Sequence, residues 1–141
     1  ARNDFGRLVV MLDHVSITVD DIETAEVFYD AVMAALDIPK VKRSKAQLGY
    51  GERADADHPG RSYISILRGD PPEPAFRRHW CFKAESRAAV DAFWHTGIGH
   101  GGSDDGAPGL RLNYHPSYYA AFLTDPAGNR IEAVCHTAAD S

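Results

Sequence analysis

Thiols are scarce in this chain: Cys81 and Cys135 are its only cysteines. Two are too few for a disulfide scaffold, and each falls in an apolar stretch that reads as strand, which fits a reduced protein with buried thiols. Long apolar runs are missing too. None approaches the roughly 18 residues a membrane-spanning helix needs. No unbroken run of lysine and arginine exceeds two residues and the formal net charge is -5, which argues against a nucleic-acid surface. Residues 1–10 lack the charged start, apolar centre and cleavage site of a signal peptide. They read as a native extension or an expression remnant before Met11, and a cytoplasmic protein is expected. What is present suits one ordinary domain: 141 residues, 44% hydrophobic and 25% charged, are enough for a real core without disorder.

The most informative stretch is residues 120–136, A-A-F-L-T-D-P-A-G-N-R-I-E-A-V-C-H. Turn formers at residues 125–129 separate two apolar runs, which predicts a hairpin with Pro126 setting φ and Gly128 or Asn129 able to take φ > 0. Alternation then puts Arg130, Glu132, Val134 and His136 on one face of the return strand and Ile131, Ala133 and Cys135 on the other. Either the Glu132 face is wet, or a buried carboxylate there needs a partner.

Earlier in the chain, L-D-H-V-S-I-T-V over residues 12–19 alternates as a half-buried strand with His14, Ser16 and Thr18 on one face. Asp20 and Glu23 stand at capping-box spacing before a helix carrying Ile22, Ala25, Phe28, Tyr29, Val32 and Leu36. Ile38-Pro39 ends it, and residues up to 51 read as weakly extended. An offset of 65 maps His14 onto His79, Ala25 onto Val90, Phe28 onto Phe93 and Tyr29 onto Trp94. Such a repeat signals two copies of one supersecondary unit. In the second copy, residues 79–83 read as strand and Ser86 caps the helix. Residues 101–108 read as a loop and 110–114 as strand. Each unit is β-α-β-β-β, joined by a proline-stiffened linker. The organisation is an extension (1–10) and one α+β domain (11–141): module one 12–70, linker 71–75, module two 76–136.

If the copies pack side by side into one curved sheet with helices outside, His14, His79 and Glu132 meet on its concave face. Two imidazoles and a carboxylate form the facial triad that suits Fe(II), with Mn(II) as a close substitute, and the dication removes the burial cost of Glu132. Taken alone, His14 also reads as a core histidine bonded to backbone.

The chain here resembles the vicinal oxygen chelate superfamily, which holds glyoxalase I, bleomycin-resistance proteins and extradiol dioxygenases. The resemblance rests on L-D-H-V-S-I-T-V-D-D-I with Phe28-Tyr29, on H-W-C-F at His79, and on L-T-D-P-A-G-N-R-I-E ending at Glu132. It implies paired βαβββ modules forming a cup around a divalent metal that chelates vicinal oxygens of a small substrate, and a homodimer. A glyoxalase I likeness calls for a fourth, carboxylate ligand on the last strand of module one, where Ser65 stands. Three ligands are similar to the extradiol pattern. Its signature maps onto Asn113, His115, Asp125, Pro126, Gly128 and Glu132, with Phe122 in place of a substrate-contacting tyrosine. Phenylalanine donates no hydrogen bond, which counts against catechol chemistry unless Tyr114, Tyr118 or Tyr119 substitutes from nearby.

The expected metal ligands are His14, His79 and Glu132, binding Fe(II) or Mn(II), with Ni(II) or Zn(II) as alternatives. His115 and Tyr119 are assigned the catalytic places, His115 as acid or base. Arg111, Asn113, Tyr114 and Phe122 are assigned to substrate, with Arg111 as anion clamp. His136 lies about 13 Å along the strand from Glu132, too far for the same ion. The expected activity is an extradiol-type dioxygenase or a glyoxalase-like lyase or isomerase. A metal-free drug-binding module is the competing class.

Overall fold

The computed structural model describes residues 11–71, 73 and 77–138. The extension 1–10 and linker residues 72, 74 and 75 lie outside the described residues. The chain forms β1 (His14–Val19), α1 (Ile22–Ala35), β2 (Lys40–Arg43), β3 (Gln47–Gly51) and β4 (Tyr63–Arg68). It then repeats the order as β5 (Trp80–Lys83), α2 (Arg87–Gly99), β6 (Ser103–Leu110), β7 (Tyr119–Thr124) and β8 (Arg130–Cys135). The sheets run β1-β4-β3-β2 and β5-β8-β7-β6, with the first and last strand of each unit paired in parallel. Both halves are therefore βαβββ units of one topology. Among the described residues no helix is long and apolar enough to cross a membrane.

Local chemistry sets the helix ends. Helix α1 is capped by Asp21, whose carboxylate accepts from the Thr24 N–H at 3.1 Å. The N-cap thus falls one residue after the expected Asp20, and Thr24 stands at the third helical position in place of Glu23, so no capping box forms. Asp37 leaves that helix with φ of 58°, a left-handed value that aspartate tolerates better than most residues. In α2, Ser86 Oγ accepts from the Ala89 N–H at 3.0 Å, as its sequence predicts.

Two extended segments differ from the expectation. Residues 103–110, expected as a loop at their start, form β6, and 112–114 form a turn instead of a strand. Among the described residues strand β6 is a sheet edge pairing only with β7, so Pro108 has a side on which a missing N–H costs nothing. Its register shifts around Gly106 and Gly109 let turn-type residues keep the ladder. Lys40–Arg43 and Gln47–Gly51 also pair as a hairpin where only weak extension was read.

Each sheet has one apolar and one polar face. Ile17, Val19, Leu48, Tyr50, Ile64 and Ile66 line the apolar side of the first, and all are buried. Helix α1 covers that side, with Tyr50 donating to Asp30 at 2.7 Å. Helix α2 covers the matching side of the second sheet, where Trp94 Nε1 donates to Asp104 at 3.0 Å. The helices also pack on each other in one shared core. An added Cβ at Gly97 would lie 2.3 Å from Leu123 Cδ1, 3.1 Å from Val32 Cγ1 and 3.3 Å from Phe28 Cε1. This close approach needs glycine. Alanine gains about 1 kcal/mol of helix propensity there, but fully buried Leu123 has little space to retreat, and overpacking costs about 1–3 kcal/mol. Gly97→Ala should therefore lower the urea midpoint, and an unchanged or raised midpoint would contradict this packing.

The modules thus pair through their helix-covered faces. Equivalence of the two halves is visible in the repeat, and the two four-stranded mixed sheets with their two helices are the expected pair of βαβββ modules; among the described residues no ladder joins one sheet to the other. One polar network ties the halves together. Asp125, 3% exposed, accepts from Tyr29 O–H at 2.6 Å, from Asn129 Nδ2 at 2.9 Å and from the backbone N–H groups of Ala127 and Asn129. Asn129 Nδ2 also donates to the Thr18 carbonyl at 2.9 Å. The D-P-A-G-N turn of module two is thereby fastened to α1 and β1.

Candidate metal-binding face

Strand β8 runs between β5 and β7, so its residues are covered by ladders on both sides. Glu132 sits at its centre, opposite Cys81 on β5 and Phe122 on β7, on the face turned away from α2. It is 2% exposed. Two polar side chains among the described residues meet its carboxylate at short range: His79 Nε2 lies 2.9 Å from Oε1, and Tyr118 O–H donates to Oε2 at 2.6 Å. No lysine or arginine pairs with Glu132 among the described residues. Burial, and next the bond to Glu132, push the Tyr118 phenol well above its ordinary range, so it stays a donor. The neighbouring Cys81 thiol is pushed up as well, by desolvation first and then by Glu132. Solvent still reaches Cys81, and its thiol form keeps it from acting as a reactive thiolate.

His79 Nδ1 lies 3.4 Å from the Arg77 carbonyl. With its proton on Nδ1 the ring would leave Nε2 bare, the arrangement that metal-bound histidines take. Next to it, the Phe122 ring lies 5.8 Å from the imidazole, and the Arg111 guanidinium stands 5.6 Å from the centroid of the same ring. Phe122, His79 and Glu132 therefore share one floor with Arg111.

The remaining expected residues divide. His14 is on the polar face of the other sheet, exposed, hydrogen-bonded to Asp13 at 2.8 Å and stacked on Tyr63. Since the modules join through their helix-covered faces, the expected meeting of His14 with His79 and Glu132 inside one chain does not occur. Among the described residues no three His, Cys, Asp or Glu groups converge as a metal site. Ser65, the position of a fourth ligand, is buried and accepts from Gln47 Nε2 at 3.2 Å. Tyr119 points to the opposite face, where it donates to Asp91 of α2 at 2.6 Å. A one-residue step along a strand reverses the face, so Tyr118 occupies the place expected of Tyr119. Asn113 and Tyr114 lie on the exposed turn before β7, with the Tyr114 ring 4.7 Å from that of Tyr118.

His136 is the residue the sequence reading set aside. His115 Nε2 lies 2.9 Å from His136 Nδ1, the ring planes 27° apart, and the Ser117 N–H donates to His115 Nδ1 at 3.1 Å. An Nδ1 that accepts leaves the proton on Nε2, so His115 donates to His136. Both rings contact Tyr118 edge-on. The hairpin register, in which Tyr119 pairs with Cys135, could have set Tyr118 opposite His136, but the turn at residues 115–118 that brings His115 to it carried no such signal.

Comparison with known proteins agrees with this architecture. The family model described as Glyoxalase/Bleomycin resistance protein/Dioxygenase superfamily matches residues 11–133. A crystal structure of a glyoxalase/bleomycin resistance protein from Albidiferax ferrireducens T118 is 31% identical, with a TM-score of 0.73 over 90% of this chain and 99% of that one. A glyoxalase/bleomycin resistance protein/dioxygenase family enzyme from Burkholderia phytofirmans PsJN is 21% identical, with a TM-score of 0.66 over 89% and 98%. A mutant of the fosfomycin resistance protein FosX from Listeria monocytogenes, complexed with Mn(II) and 1S,2S-dihydroxypropylphosphonic acid, is 15% identical, with a TM-score of 0.65 over 92% and 93%. No curated protein matches. With the family model spanning most of its length and the βαβββ unit present twice, the chain belongs to the glyoxalase/bleomycin resistance protein/dioxygenase superfamily.

Proposed function

We propose that this protein is a divalent-metal-dependent enzyme that chelates vicinal oxygens of a small substrate, its ion held by His79 and Glu132 of one chain and His14 of a second copy. The observation that carries the reading is Glu132: a carboxylate 2% exposed, with a histidine and a tyrosine as its side-chain partners and no cationic Lys or Arg among the described residues. A buried carboxylate in that setting is costly, and a dication offsets the cost. The donors fit such an ion. Nε2 of His79 and Oε1 of Glu132 are already neighbours, and an imidazole is the missing third member of the facial set that suits Fe(II) or Mn(II), with Ni(II) or Zn(II) as alternatives. His14 is exposed on the equivalent strand of the other module, which makes it available to a neighbouring chain. A homodimer with isologous contacts would create two identical sites. FosX, a protein of the same fold, was crystallised with Mn(II).

When bound, the ion supplies Lewis-acid or redox chemistry at the chelated oxygens. The chain's own residues do the rest. Tyr118 holds the second oxygen of Glu132 and so orients the carboxylate. Phe122 provides a flat apolar surface beside His79. His115, with His136 as its acceptor, stands at the rim as the group that gives or takes a substrate proton, and Asn113 and Tyr114 line the turn above it. A specific observation favours the competing, metal-free binding module: His79 and Glu132 satisfy each other directly at 2.9 Å. Metal content decides between them. Anaerobically purified, tag-free protein should hold about one Fe or Mn per site, lost in both His79→Ala and Glu132→Ala. A parent that takes up none of Fe(II), Mn(II), Ni(II) or Zn(II) would leave the binding module as the account.

A further inference from the structure

We infer that Arg111 is the anion-binding end of the same face, so that the ligand is a small molecule carrying an anionic group, such as a carboxylate, beyond its metal-binding oxygens. The inference deepens the proposed function and rests on it for the oxygen-binding end alone. Arg111 follows β6 and is partly buried. Its Nη1 donates to the Gly109 carbonyl and its Nη2 to the Ala107 carbonyl, each at 2.9 Å. Both partners are neutral. No carboxylate pairs with Arg111 among the described residues, although the chain as a whole is acidic. A half-buried cation with only neutral partners is an unbalanced charge, and those two bonds leave donors of the guanidinium fork over.

The backbone is shaped around this side chain. A Cβ at Gly106 would lie 3.3 Å from Arg111 Nη2 and 3.1 Å from Phe122 Cδ1, and one at Gly109 would lie 3.2 Å from Nη1. Gly106 also has φ of 151°. Side-chain-free positions on β6 thus let the guanidinium lie flat against the strand and over Phe122, where the ring face favours a cation. Fixed in this way, the fork loses little entropy on binding a carboxylate. The Phe122 ring lies beside both the oxygen-binding pair and this preorganised cation, and offers a surface for an apolar body. A ligand matching all three has vicinal oxygens at one end and the anion at the other.

The test uses benzoate on chelator-treated protein, and 3,4-dihydroxybenzoate against catechol on metal-loaded protein, by calorimetry. Benzoate should bind in the millimolar range without metal, and Arg111→Met should weaken it about tenfold, the scale of one charge-assisted contact. In the loaded protein 3,4-dihydroxybenzoate should bind about tenfold more tightly than catechol, and the advantage should vanish in Arg111→Met with metal content unchanged. A readout free of any variant is the Arg111 Nε–H resonance, which should move on benzoate titration. Absence of benzoate binding, an unmoved resonance, or a carboxylate advantage that survives Arg111→Met would overturn the inference. Benzoate binding at Arg111 in a protein that takes up no metal would sustain the anion site and defeat the metal reading, so the two fail separately.

Discussion

Replacing Asp125 by alanine should cost about 3–4 kcal/mol and lower the melting midpoint by about 10 °C, the largest stability effect expected of a single polar side chain here. Its carboxylate is 3% exposed and gathers donors from two modules: Tyr29 O–H, Asn129 Nδ2 and two backbone N–H groups. Truncation leaves those donors buried without an acceptor, and that penalty exceeds the net worth of the bonds themselves. Tyr29→Phe removes one donor while the carboxylate keeps the others, so its cost should be smaller, about 1–2 kcal/mol. Urea unfolding of the two variants checks the order, and an Asp125→Ala loss below that of Tyr29→Phe would contradict the network. The Tyr29 phenol is held well above its ordinary range, by burial first and by the Asp125 charge next. Its neutral form is thus favoured in the fold. The associated stability is fully present below about pH 10, where an unfolded tyrosine ionises, and is lost as pH rises further. The wild-type midpoint should fall more steeply than that of Tyr29→Phe in that alkaline range.

Mixing two inactive variants should restore metal binding. His14→Ala and Glu132→Ala homodimers should each hold no ion at the triad. In a mixed dimer, one site receives His14 from the Glu132→Ala chain and His79 with Glu132 from the His14→Ala chain, and is complete. The other site lacks both. Random re-pairing of equal amounts makes half the dimers mixed, so about a quarter of all sites should recover metal, read by elemental analysis after exchange. A triad assembled within one chain predicts no recovery, and so does a protein that stays monomeric. The expectation follows from where the side chains lie: His14 on the polar face of one sheet, His79 and Glu132 on that of the other, and a shared helical core on the apolar side of both.

Much of the molecule could be read from the residues because it depends on short-range chemistry. The residue 120–136 stretch is a hairpin because Pro126 and Gly128 dictate its turn, Gly128 taking φ of 97°. Strand alternation put Glu132 and His136 on one face, and Tyr118 reaches both, its O–H on Glu132 and its ring 5.4 Å from that of His136. The 65-residue offset announced two βαβββ units, since a repeat copies its own hydrophobic pattern. Strand β6 escaped because an edge strand tolerates Gly, Asp and Pro. Tyr118 was confused with Tyr119 because a single residue of register reverses every side chain beyond the strand's start.

Residue pattern by itself determined the two modules, the family to which they belong, and the strand face on which Glu132 stands, while its burial beside His79 came from the structure. How the modules pair was settled by the tertiary structure, because the same amphipathic units can bury their apolar faces edge to edge or helix to helix. Gly97 and Gly102, close against Phe28, and the Asp125 network spanning both halves favour the helix contact. That choice separates His14 from His79 and Glu132, and it joins His115 to His136 and lays Arg111 across Phe122. Those relations rest on long-range packing and register, which no local pattern encodes.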